Sequence, residues 1–522
     1  MDNPHTNQAQ RLVEQATRAM SRHAAGDLHG AEMDYREVID QVQHIGLYAG
    51  FGALLLQTRR LDEAAGWLRR ALVLAPSRDA VIENLGVLLH ERGQSGTAEM
   101  WLRRRLALSS NAPDALANLG IVLTATGCSA EAIGCLRMAC QQQPDNPNHR
   151  FNLAVAMDKA DDRLAAIEVY RQALCLEPGH VKALENAALS ATLMNRSGDA
   201  LDLYRHLVDV MPQHAVARFW RGNLRLLAGD WARGWEDYEA RIHVPGLAPP
   251  VKWANQVRRW DGRPMPDGVL LLTGEQGIGD VLMFCRFLPL AAARVKRVVL
   301  QVHGPLVSLL QGQFANVTVQ PFGEFTHTDA ALPLLSLAGV LGMTPQILPR
   351  QPYLSAPPDW VRRWRAEAPS GEDRSFGLVW AGNPDYLYDR LRSPRLEPVR
   401  RLLDTPGWRP VLLQVGEGRR DLDTVTLPPH VRDLGEQVAD FADTAAIIAS
   451  LDLVITSDTA VAHLAGALGK ETWVIGWLQA DWRWMPSLDG RLLWYPTTRL
   501  FRQSAPRQWT DVVDDIQHAL MS

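Results

Sequence analysis

The chain has 522 residues, of which 47% are hydrophobic and 21% are charged, a globular composition. At roughly 150 residues per domain, this length predicts three or four structural units and excludes a single compact domain. Its 54 Lys and Arg against 58 Asp and Glu give a net charge of −4, which excludes binding of nucleic acid or an anionic membrane by bulk charge.

Targeting and cysteine patterns favour a cytoplasmic location. No run of 18 consecutive apolar residues occurs, so no membrane span is expected. The polar amino-terminal sequence MDNPHTNQAQ does not have the pattern of a signal peptide. Because no C-x-x-C pair occurs, the cysteines are expected to be small buried hydrophobic residues without disulfide or metal roles; they are Cys128, Cys135, Cys140, Cys175 and Cys285.

A 34-residue period runs through the first half of the chain. Four segments begin with asparagine at this spacing, at Asn84, Asn118, Asn152 and Asn186. Prolines and alanines recur on the same period, at Pro76, Pro144, Pro178 and Pro212 and at Ala64, Ala98, Ala132, Ala166 and Ala200. This is the period of tetratricopeptide repeats, in which each repeat is a helical hairpin. It predicts an all-α superhelix over residues 12–245, with about seven repeats, of which the first and last are irregular.

The four asparagines need a reason of their own, because asparagine is a poor helix former and the packing of the hairpins does not require it. Equivalent positions of stacked repeats line up, and a carboxamide can both donate to and accept from an extended peptide backbone. The row resembles the asparagine ladder of the protein O-GlcNAc transferase superhelix, which implies an acceptor-binding role. The alternative is that the amides satisfy neighbouring helix ends.

The helical period fails over residues 246–268, where proline, glycine and tryptophan accumulate, and an ordered linker is expected there. From residue 269 onward, short β-rich runs alternate with amphipathic segments, which predicts an α/β fold with parallel sheets. A charged segment at 353–374 divides this half into an amino-terminal lobe, 269–352, and a carboxy-terminal lobe, 375–522.

The first lobe opens with a predicted strand at 269–273, a glycine loop that contains Gly277 and Gly279, and a helix that runs from Asp280 to residue 290. This order is also typical of an ordinary tight turn, so the pattern alone is a weak signal. A carboxylate in the first turn suits the helix dipole but repels a phosphate bound at that turn. The loop is therefore a poor phosphate site, and Asp280 is either a general base or only a helix cap.

The second lobe contains predicted strands at 376–380, 410–415, 453–456 and 471–475. The third leads into Ser457, Asp458 and Thr459, and a helix begins near Ala460, with His463 one turn along. Free N–H groups and the positive end of the dipole make such a helix start an anion site. His463 is either a ligand contact or a buried helix histidine.

Four segments together resemble a known family: GEQGIGDVLMFCRFLPL, GLVWAGNP, RLRSPRLEP and VITSDTAVAHLAGALGK. Their order, and their junction with a repeat domain, are similar to those of bacterial glycosyltransferases that join tetratricopeptide repeats to a GT-B domain of heptosyltransferase type. The resemblance covers nearly the whole chain. It implies two Rossmann-like lobes, with a nucleotide sugar held mainly by the second lobe and an acceptor approaching from the first, near Gly277 and Gly279.

On this resemblance, the donor phosphates meet Ser457, Asp458, Thr459 and the backbone that follows. Heptosyltransferase-like proteins have a D-T-G-x-x-H pattern here, and this chain departs from it with Ala460 at the point of closest backbone approach. Asp458 cannot itself attract a phosphate, and it is better suited to orienting the loop or binding a sugar hydroxyl.

Glycosyl transfer needs a base for the acceptor proton and a stabiliser for the departing nucleotide phosphate. Asp280 is the candidate base. Arg390 and Arg392 are candidate phosphate partners because arginine binds phosphate with a fixed fork, and Arg392, followed directly by Ser393, is favoured. The alternative is that both are ordinary surface arginines.

Asn383 and Gln414 lie near the carboxyl ends of predicted strands and are further donor-binding candidates. The D-x-D at Asp421 and Asp423 falls in the charged stretch GEGRRDLD and is expected to be solvated, so neither a metal nor a cofactor beyond the donor is expected. Core packing is the favoured interpretation of an aromatic cluster near the carboxyl terminus, Trp482, Trp484, Trp494 and Tyr495.

The leading hypothesis is a metal-independent GT-B glycosyltransferase whose repeats recruit a protein acceptor and whose second half transfers one sugar to Ser or Thr. The resemblance implies flagellin or another surface protein as the acceptor. Two alternatives stay open: transfer onto a polysaccharide or lipid-linked glycan, and a repeat scaffold with a degenerate transferase half. The nucleotide, the sugar and the oligomeric state are also open, a homo-oligomer being one alternative. No nucleic acid partner is expected.

Overall fold

The computed structural model describes residues 4–76, 78–247, 257–323, 328–364, 373–487 and 490–522. Its contacts divide the chain into two compact units, Met1–Ala191 and Thr192–Ser522. The repeats were predicted to end at residue 245. In the structure, the last repeat helices belong to the same compact unit as the α/β half. Parts of the predicted linker and of the predicted lobe connection, 248–256 and 365–372, lie outside the described residues.

The first unit is all-α. Its helices are α1 (Pro4–Ala24), α2 (Leu28–Val38), α3 (Ile45–Gln57), α4 (Leu61–Leu74), α5 (Asp79–Glu91), α6 (Ser95–Leu108), α7 (Pro113–Ala125), α8 (Ser129–Gln142), α9 (Pro147–Lys159), α10 (Arg163–Leu176) and α11 (Val181–Leu193), whose last two residues belong to the second unit. Helix α1 packs against α2, α3 against α4, and this pairing continues to α9 and α10. The 34-residue period is thus a period of helical hairpins, and the tetratricopeptide prediction is confirmed.

Small residues allow the two helices of a hairpin to approach closely. Gly120 on α7 faces Leu136 on α8, and a Cβ built at Gly120 would lie 2.5 Å from the Leu136 Cγ. Gly86 on α5 faces Leu102 on α6 in the same way, at 2.7 Å. Protein interiors are close-packed, so a larger side chain at either glycine has to displace its leucine.

The second unit begins with three repeat helices, α12 (Ser197–Val210), α13 (Ala215–Leu227) and α14 (Trp231–Tyr238). Its other helices are α15 (Ile278–Phe284), α16 (Leu288–Ala292), α17 (Val307–Leu310), α18 (Leu337–Val340), α19 (Pro358–Trp364), α20 (Asp389–Arg392), α21 (Leu396–Val399), α22 (Phe441–Ser450), α23 (Ala460–Ala467) and α24 (Thr510–Met521). Short 3-10 helices lie at Glu239–His243, Cys285–Phe287, Gly304–Leu306, Leu334–Ser336, Arg400–Asp404, Gly416–Thr424 and Trp482–Trp484. Among the helices described in both units, none has the length and apolar content needed to cross a membrane.

Ten described strands of the second unit form two parallel sheets. They are β1 (Met265–Thr273), β2 (Val295–Val302), β3 (Val317–Pro321), β4 (Ala330–Pro333), β5 (Arg374–Val379), β6 (Trp408–Leu412), β7 (Arg432–Asp433), β8 (Leu453–Ser457), β9 (Thr472–Gly476) and β10 (Thr498–Arg502). The first sheet has the order β3-β2-β1-β4 and the second β10-β9-β8-β5-β6-β7. The order reverses between β1 and β4 and between β5 and β8, the switch points at which ligands of such sheets bind. The predicted fold class, an all-α repeat part followed by an α/β part, is confirmed.

Several predicted bounds in the second unit differ from those observed, and three of the differences have a structural cause. Strand β1 begins at Met265 rather than at 269, because it pairs with β2 on both sides of a register shift. Strand β6 ends at Leu412 rather than at 415, and the Gln414 amide beyond it binds the end of β5. The single helix expected up to residue 290 is broken into α15, a 3-10 turn and α16, which contains Pro289 and therefore lacks one N–H donor.

Aromatic side chains from the last repeat and from both lobes share one core in the second unit. Trp231 stacks on Trp494 with ring centroids 5.4 Å apart, and Trp235 meets Trp482 edge to face at 5.5 Å. Phe284 of the first lobe contacts Trp482 and Trp494. The core-packing interpretation of the aromatic cluster is confirmed by the burial of all its members, Trp482, Trp484, Trp494 and Tyr495.

The cysteine prediction is correct only in part. All five cysteines are free, and Cys285 is buried as expected, but Cys128 and Cys175 are exposed. Cys128 precedes the first residue of α8, and Cys175 lies in the last turn of α10. Cys128 lies before the buried face of α8 begins, and Cys175 lies after the buried face of α10 ends. Neither side chain is therefore covered.

Gly120→Leu tests the close approach within the repeats. The new side chain has to displace Leu136, and we expect a loss of about 2–3 kcal/mol in the free energy of unfolding of the repeat transition, measured by urea denaturation followed by circular dichroism. Gly134→Leu is the matched control, because Gly134 lies on α8 with no atom within 4 Å of a built Cβ. It should gain about 0.5 kcal/mol from helix propensity. Equal effects of the two changes would contradict this packing.

Candidate active site

The glycine loop of the first lobe, residues 274–277, connects β1 to α15, and Asp280 lies in the first turn of that helix. The Asp280 Oδ2 accepts a hydrogen bond from the Gly277 N–H at 3.2 Å, which closes the first turn of the helix. The Oδ1 accepts from Nε and Nη2 of Arg483 at 3.0 and 2.8 Å. Asp280 is therefore a helix cap, as one of the two interpretations holds, and it is also one half of an ion pair between the lobes. Its role as a general base stays a prediction.

Residues in and just after the last repeat also bind the glycine loop. Arg241 is fully buried, and its Nη2 donates to the Glu275 Oε1 at 2.6 Å. The Tyr238 hydroxyl donates to the Gln276 Oε1 at 3.2 Å. Buried charges are tolerated only when they are paired, so the Arg241–Glu275 pair ties the loop firmly to the chain segment after α14.

The second-lobe loop, Ser457 to Thr459, connects β8 to α23. Thr459 is the residue before the helix, and its hydroxyl lies 3.1 Å from that of Thr456 instead of capping the helix. The Ser457 hydroxyl is buried and has no hydrogen-bond partner among the described residues. A helix start without a side-chain cap beside an unsatisfied buried hydroxyl can accept an anionic group.

Three arginines, Arg392, Arg483 and Arg502, act electrostatically on Asp458 at this helix start. Burial raises the pKa of the Asp458 carboxyl, and the positive charge of Arg392 opposes that shift. Arg392 lies over the Tyr386 ring, 4.4 Å from its centroid, and its Nε lies 3.3 Å from the Asp389 Oδ1. Arg502, at the carboxyl end of β10, interacts with the same Asp458 charge. Sequence reasoning missed Arg502, because an arginine at the end of an edge strand gives no motif.

His463 is buried where the second lobe meets Gly279 of the first lobe. Its Nδ1 lies 3.1 Å from the Tyr495 hydroxyl, and its ring stacks on Trp484 with centroids 4.8 Å apart. A Cβ built at Gly279 would lie 2.7 Å from the His463 Cδ2, so only glycine fits at the point where the two lobes meet. Burial, reinforced by the charge of Arg483, lowers the pKa of His463 to about 3. The structure favours the buried helix histidine over a charged ligand contact.

Several residues predicted at the donor site have structural partners instead. The Gln414 Oε1 accepts from the N–H groups of Trp380 and Ala381 at 3.0 and 2.9 Å, and its Nε2 donates to the Ala381 and Val415 carbonyls at 3.1 and 2.9 Å. The buried Ser393 hydroxyl donates to Asp389 at 2.8 Å and accepts from the Gly382 N–H at 3.0 Å. Both side chains satisfy the backbone or loop beyond β5, a need that strand position alone does not show.

The remaining predicted residues of this region lie at its surface or in its supports. Asn383 is exposed and accepts from the Asp385 N–H, as in a turn, and Arg390 is exposed on α20. Asp421 was expected to be solvated, which is wrong. It accepts from the Trp380 Nε1, the Arg395 Nε and the Leu396 N–H, each at 3.0 Å.

The four asparagines of the first unit occupy equivalent, half-buried positions on α5, α7, α9 and α11. Helix α5 packs against α7, and α7 against α9, so the first three side chains belong to one layer of helices. The Asn84 Nδ2 donates to the Ala49 carbonyl at 3.4 Å, and Asn186 interacts with the Tyr170 hydroxyl. These two contacts fit the alternative in which the amides serve neighbouring helices, and the acceptor ladder stays a prediction.

Two arginines that the sequence analysis did not single out hold this region together. Arg483 binds Asp280 and also Asp481, whose carboxylate lies 3.1 Å from the Arg483 Nη1. Arg286 is buried, and its guanidinium donates to the Trp494 carbonyl at 2.9 Å and the Pro349 carbonyl at 3.1 Å. An arginine inside the apolar run VLMFCRF and one inside the aromatic run DWRW were the available signals, since a charge among buried residues needs partners.

The helical hairpins on a 34-residue period make this chain a tetratricopeptide-repeat protein. It is 27% identical over 341 residues to Protein FlbA of Caulobacter vibrioides, and the match covers 59% of this chain and 55% of FlbA. The chain thus spans about half the length of the curated relative it matches. A search of protein-family models found no match.

Solved structures resemble parts of the chain. One is YrrB, described as a tetratricopeptide-repeat protein with an unusual peptide-binding site, with 20% identity, a TM-score of 0.28, and coverage of 35% of this chain and 95% of YrrB. Another is PilF of Pseudomonas aeruginosa, with 21% identity, a TM-score of 0.36, and coverage of 39% of this chain and 92% of PilF.

His463→Asn tests the neutral state of the buried imidazole. The ordinary pKa of 6.5 falls to about 3 on folding, so below pH 6.5 the unfolded chain binds a proton that the folded chain does not. The imidazole therefore costs the second unit stability progressively as the pH falls from 6.5 towards 3, by up to about 1.4 kcal/mol per pH unit. Asparagine keeps a polar atom near Nδ1 and does not titrate. Urea midpoints measured from pH 7.5 to 4.5 should fall less steeply for the variant, and parallel curves would show that His463 is protonated in the folded state.

Proposed function

We propose that this protein is a metal-independent glycosyltransferase that takes a sugar from a nucleotide-sugar donor and attaches it to a protein acceptor bound by its repeats. The observation that carries the proposal is the start of α23, where the buried, unpartnered Ser457 hydroxyl lies beside an uncapped helix amino terminus. The proposal is supported by the position of α23 after β8, because β5 and β8 are neighbours at the point where the strand order reverses and ligands of α/β sheets commonly bind at such points.

The charges around α23 suit a donor phosphate. The helix dipole and free N–H groups attract negative charge, and Arg392 and Arg502 supply two cations that act on the same point. Asp458, on which these arginines act electrostatically, is proposed to bind a sugar hydroxyl. Because the cations and the helix start carry the leaving-group charge, the reaction does not require a metal ion.

The proposed transfer uses Asp280 as the base. The acceptor hydroxyl gives its proton to Asp280 while its oxygen forms a bond to the anomeric carbon of the sugar. The bond from that carbon to the phosphate oxygen breaks, and its electron pair stays on the nucleotide phosphate beside Arg392. The contacts to Arg483 and Gly277 leave the carboxylate with remaining acceptor capacity, since two carboxylate oxygens offer about four lone-pair sites.

The acceptor is proposed to be an extended protein segment, with Ser or Thr as the modified residue. The row of half-buried asparagines on α5, α7, α9 and α11 offers carboxamides that can bind any peptide backbone. The resemblance to repeat-bearing bacterial glycosyltransferases makes flagellin or another surface protein the acceptor to try first. A cytoplasmic location is part of this proposal, because nucleotide sugars are made there.

A non-catalytic scaffold is the second candidate. Ala460 favours it, since a Cβ stands where a glycine would give a phosphate the closest access to the backbone. A folded chain that binds neither a nucleotide nor a nucleotide sugar would support this candidate.

Arg392→Ala tests the donor site. The purified chain is melted with UDP, GDP, CMP, ADP and their common sugar conjugates, and one of these ligands should stabilise the second unit by about 2.7 kcal/mol at 100 times its dissociation constant. The variant should weaken that shift and lower turnover by on the order of 10²-fold, the scale for one preorganised charge. Arg420→Ala is the control, because Arg420 is 73% exposed and pairs only with Glu417 among the described contacts. Equal behaviour of the two variants would remove Arg392 from the mechanism.

Asn84, Asn118, Asn152 and Asn186 are tested together as alanine substitutions. Under the proposed function, transfer to a protein acceptor should fall at least about tenfold, because each peptide hydrogen bond contributes about 0.5–1.5 kcal/mol. The nucleotide-induced thermal shift should stay unchanged. Undiminished transfer by the fourfold variant would contradict recruitment by the asparagines and favour a glycan acceptor.

A further inference from the structure

The last repeats hold the segment that contains Arg483 in place. The Ala480 N–H donates to the Asn195 Oδ1, and the Trp482 indole N–H donates to the Asn223 Oδ1, each at 2.9 Å. Asn195 lies in the turn before α12, and Asn223 lies on α13. Two residues just before Arg483, one through its backbone and one through its side chain, are therefore bound to the repeat part of the second unit.

All three guanidinium nitrogens of Arg483 are bound within the protein. Nε and Nη2 donate to Asp280, Nη1 donates to Asp481, and Nη2 also donates to the Tyr238 hydroxyl at 3.3 Å. The side chain is 13% exposed. Its contacts suit it to placing another group rather than to binding a ligand.

The group that it places is the Asp280 carboxylate. Tyr238 connects this carboxylate to the last repeat, because its hydroxyl accepts from Arg483 and donates to Gln276 of the glycine loop. Gln276 has a φ of +57°, a conformation that is uncommon for a residue other than glycine and that needs support from its surroundings. Tyr238 is fully buried, so its hydroxyl keeps the same two partners.

We propose that Arg483 is a positioning residue for sugar transfer: it fixes the Asp280 carboxylate in the cleft and, through Tyr238, makes that placement depend on the last repeat. This inference rests on the proposed function. The last repeat, formed by α13 and α14, then helps to place the catalytic base, in addition to any role of the repeats in binding the acceptor.

Arg483→Met and Tyr238→Phe test the proposal in the full-length chain. Hydrogen exchange of the Gly277 amide, measured by mass spectrometry on the loop peptide, reports directly on the carboxylate, because this N–H is bonded to the Asp280 Oδ2. We expect exchange to rise by about fivefold in Tyr238→Phe, which loses one hydroxyl, and by on the order of 10²-fold in Arg483→Met. Tyr35→Phe, which removes the hydroxyl of a buried tyrosine in the first repeat, is the matched control and should leave the loop unchanged.

Steady-state kinetics then separate positioning from a purely structural role. Both variants should lower kcat, by about fivefold for Tyr238→Phe and by on the order of 10²-fold for Arg483→Met, with the KM for the donor unchanged within about twofold. In a chain that already carries Asp280→Asn, adding Tyr238→Phe should lower kcat no further, because the carboxylate that the hydroxyl helps to place is gone. Tyr238→Phe keeps the test valid if Arg483→Met does not fold.

The outcomes are distinguishable. Unchanged exchange of the Gly277 amide in Tyr238→Phe and in any folded Arg483→Met would overturn the positioning role, whatever the enzyme does. Faster exchange with an unchanged kcat would also overturn it, because the placement would then have no catalytic consequence. A wild-type chain that transfers no sugar from any donor would instead reject the proposed function, and the exchange result alone would still show whether Arg483 holds the loop.

Discussion

The second unit depends on one mostly buried cation and the acceptors gathered around it. Arg483 belongs to the second lobe, Asp280 to the first and Tyr238 to the last repeat, so three parts of the chain meet at a single guanidinium. Removing one partner of such a pair leaves an uncompensated charge in a low-dielectric site, which is far more costly than losing a surface ion pair. The two lobes and the last repeat are therefore joined at this one guanidinium.

This constraint explains why the compact units divide at Ala191 and not at the end of the repeat pattern. The helices α12 to α14 carry the same hairpin period as the earlier repeats, but their aromatic and polar side chains pack on the lobes. Trp231 and Trp235 contact Trp494 and Trp482, and Arg241 binds Glu275 of the glycine loop. A boundary drawn from the 34-residue period marks where the helical hairpins end. A boundary drawn from contacts depends on which part of the chain the helices pack against.

The sequence predicted the repeats, both parallel sheets and the helix start at Ala460, because these depend on local periodicity and on strand–turn–helix order. It did not predict which polar side chains near the cleft are already occupied. Gln414 and Ser393 were expected at the donor site and instead satisfy the backbone beyond β5. Arg483 and Arg502 were not predicted, because the carboxylates on which they act, Asp280 and Asp458, lie far away in the chain. A charge inside an apolar or aromatic run indicates that a partner is needed, but the local sequence does not identify a partner that lies far away in the chain.

The asparagines on α5, α7, α9 and α11 belong to the first unit, and the residues that hold the glycine loop belong to the second. Repeat arrays lengthen or shorten by whole repeats, because each repeat contacts mainly its neighbours. Under the proposed function, duplication or loss of one 34-residue hairpin in the first unit would change how many carboxamides a bound peptide meets, whereas the contacts around Asp280 lie in the second unit. Descendants of such a transferase would then differ in the length of segment they recognise and keep the same sugar-transfer chemistry.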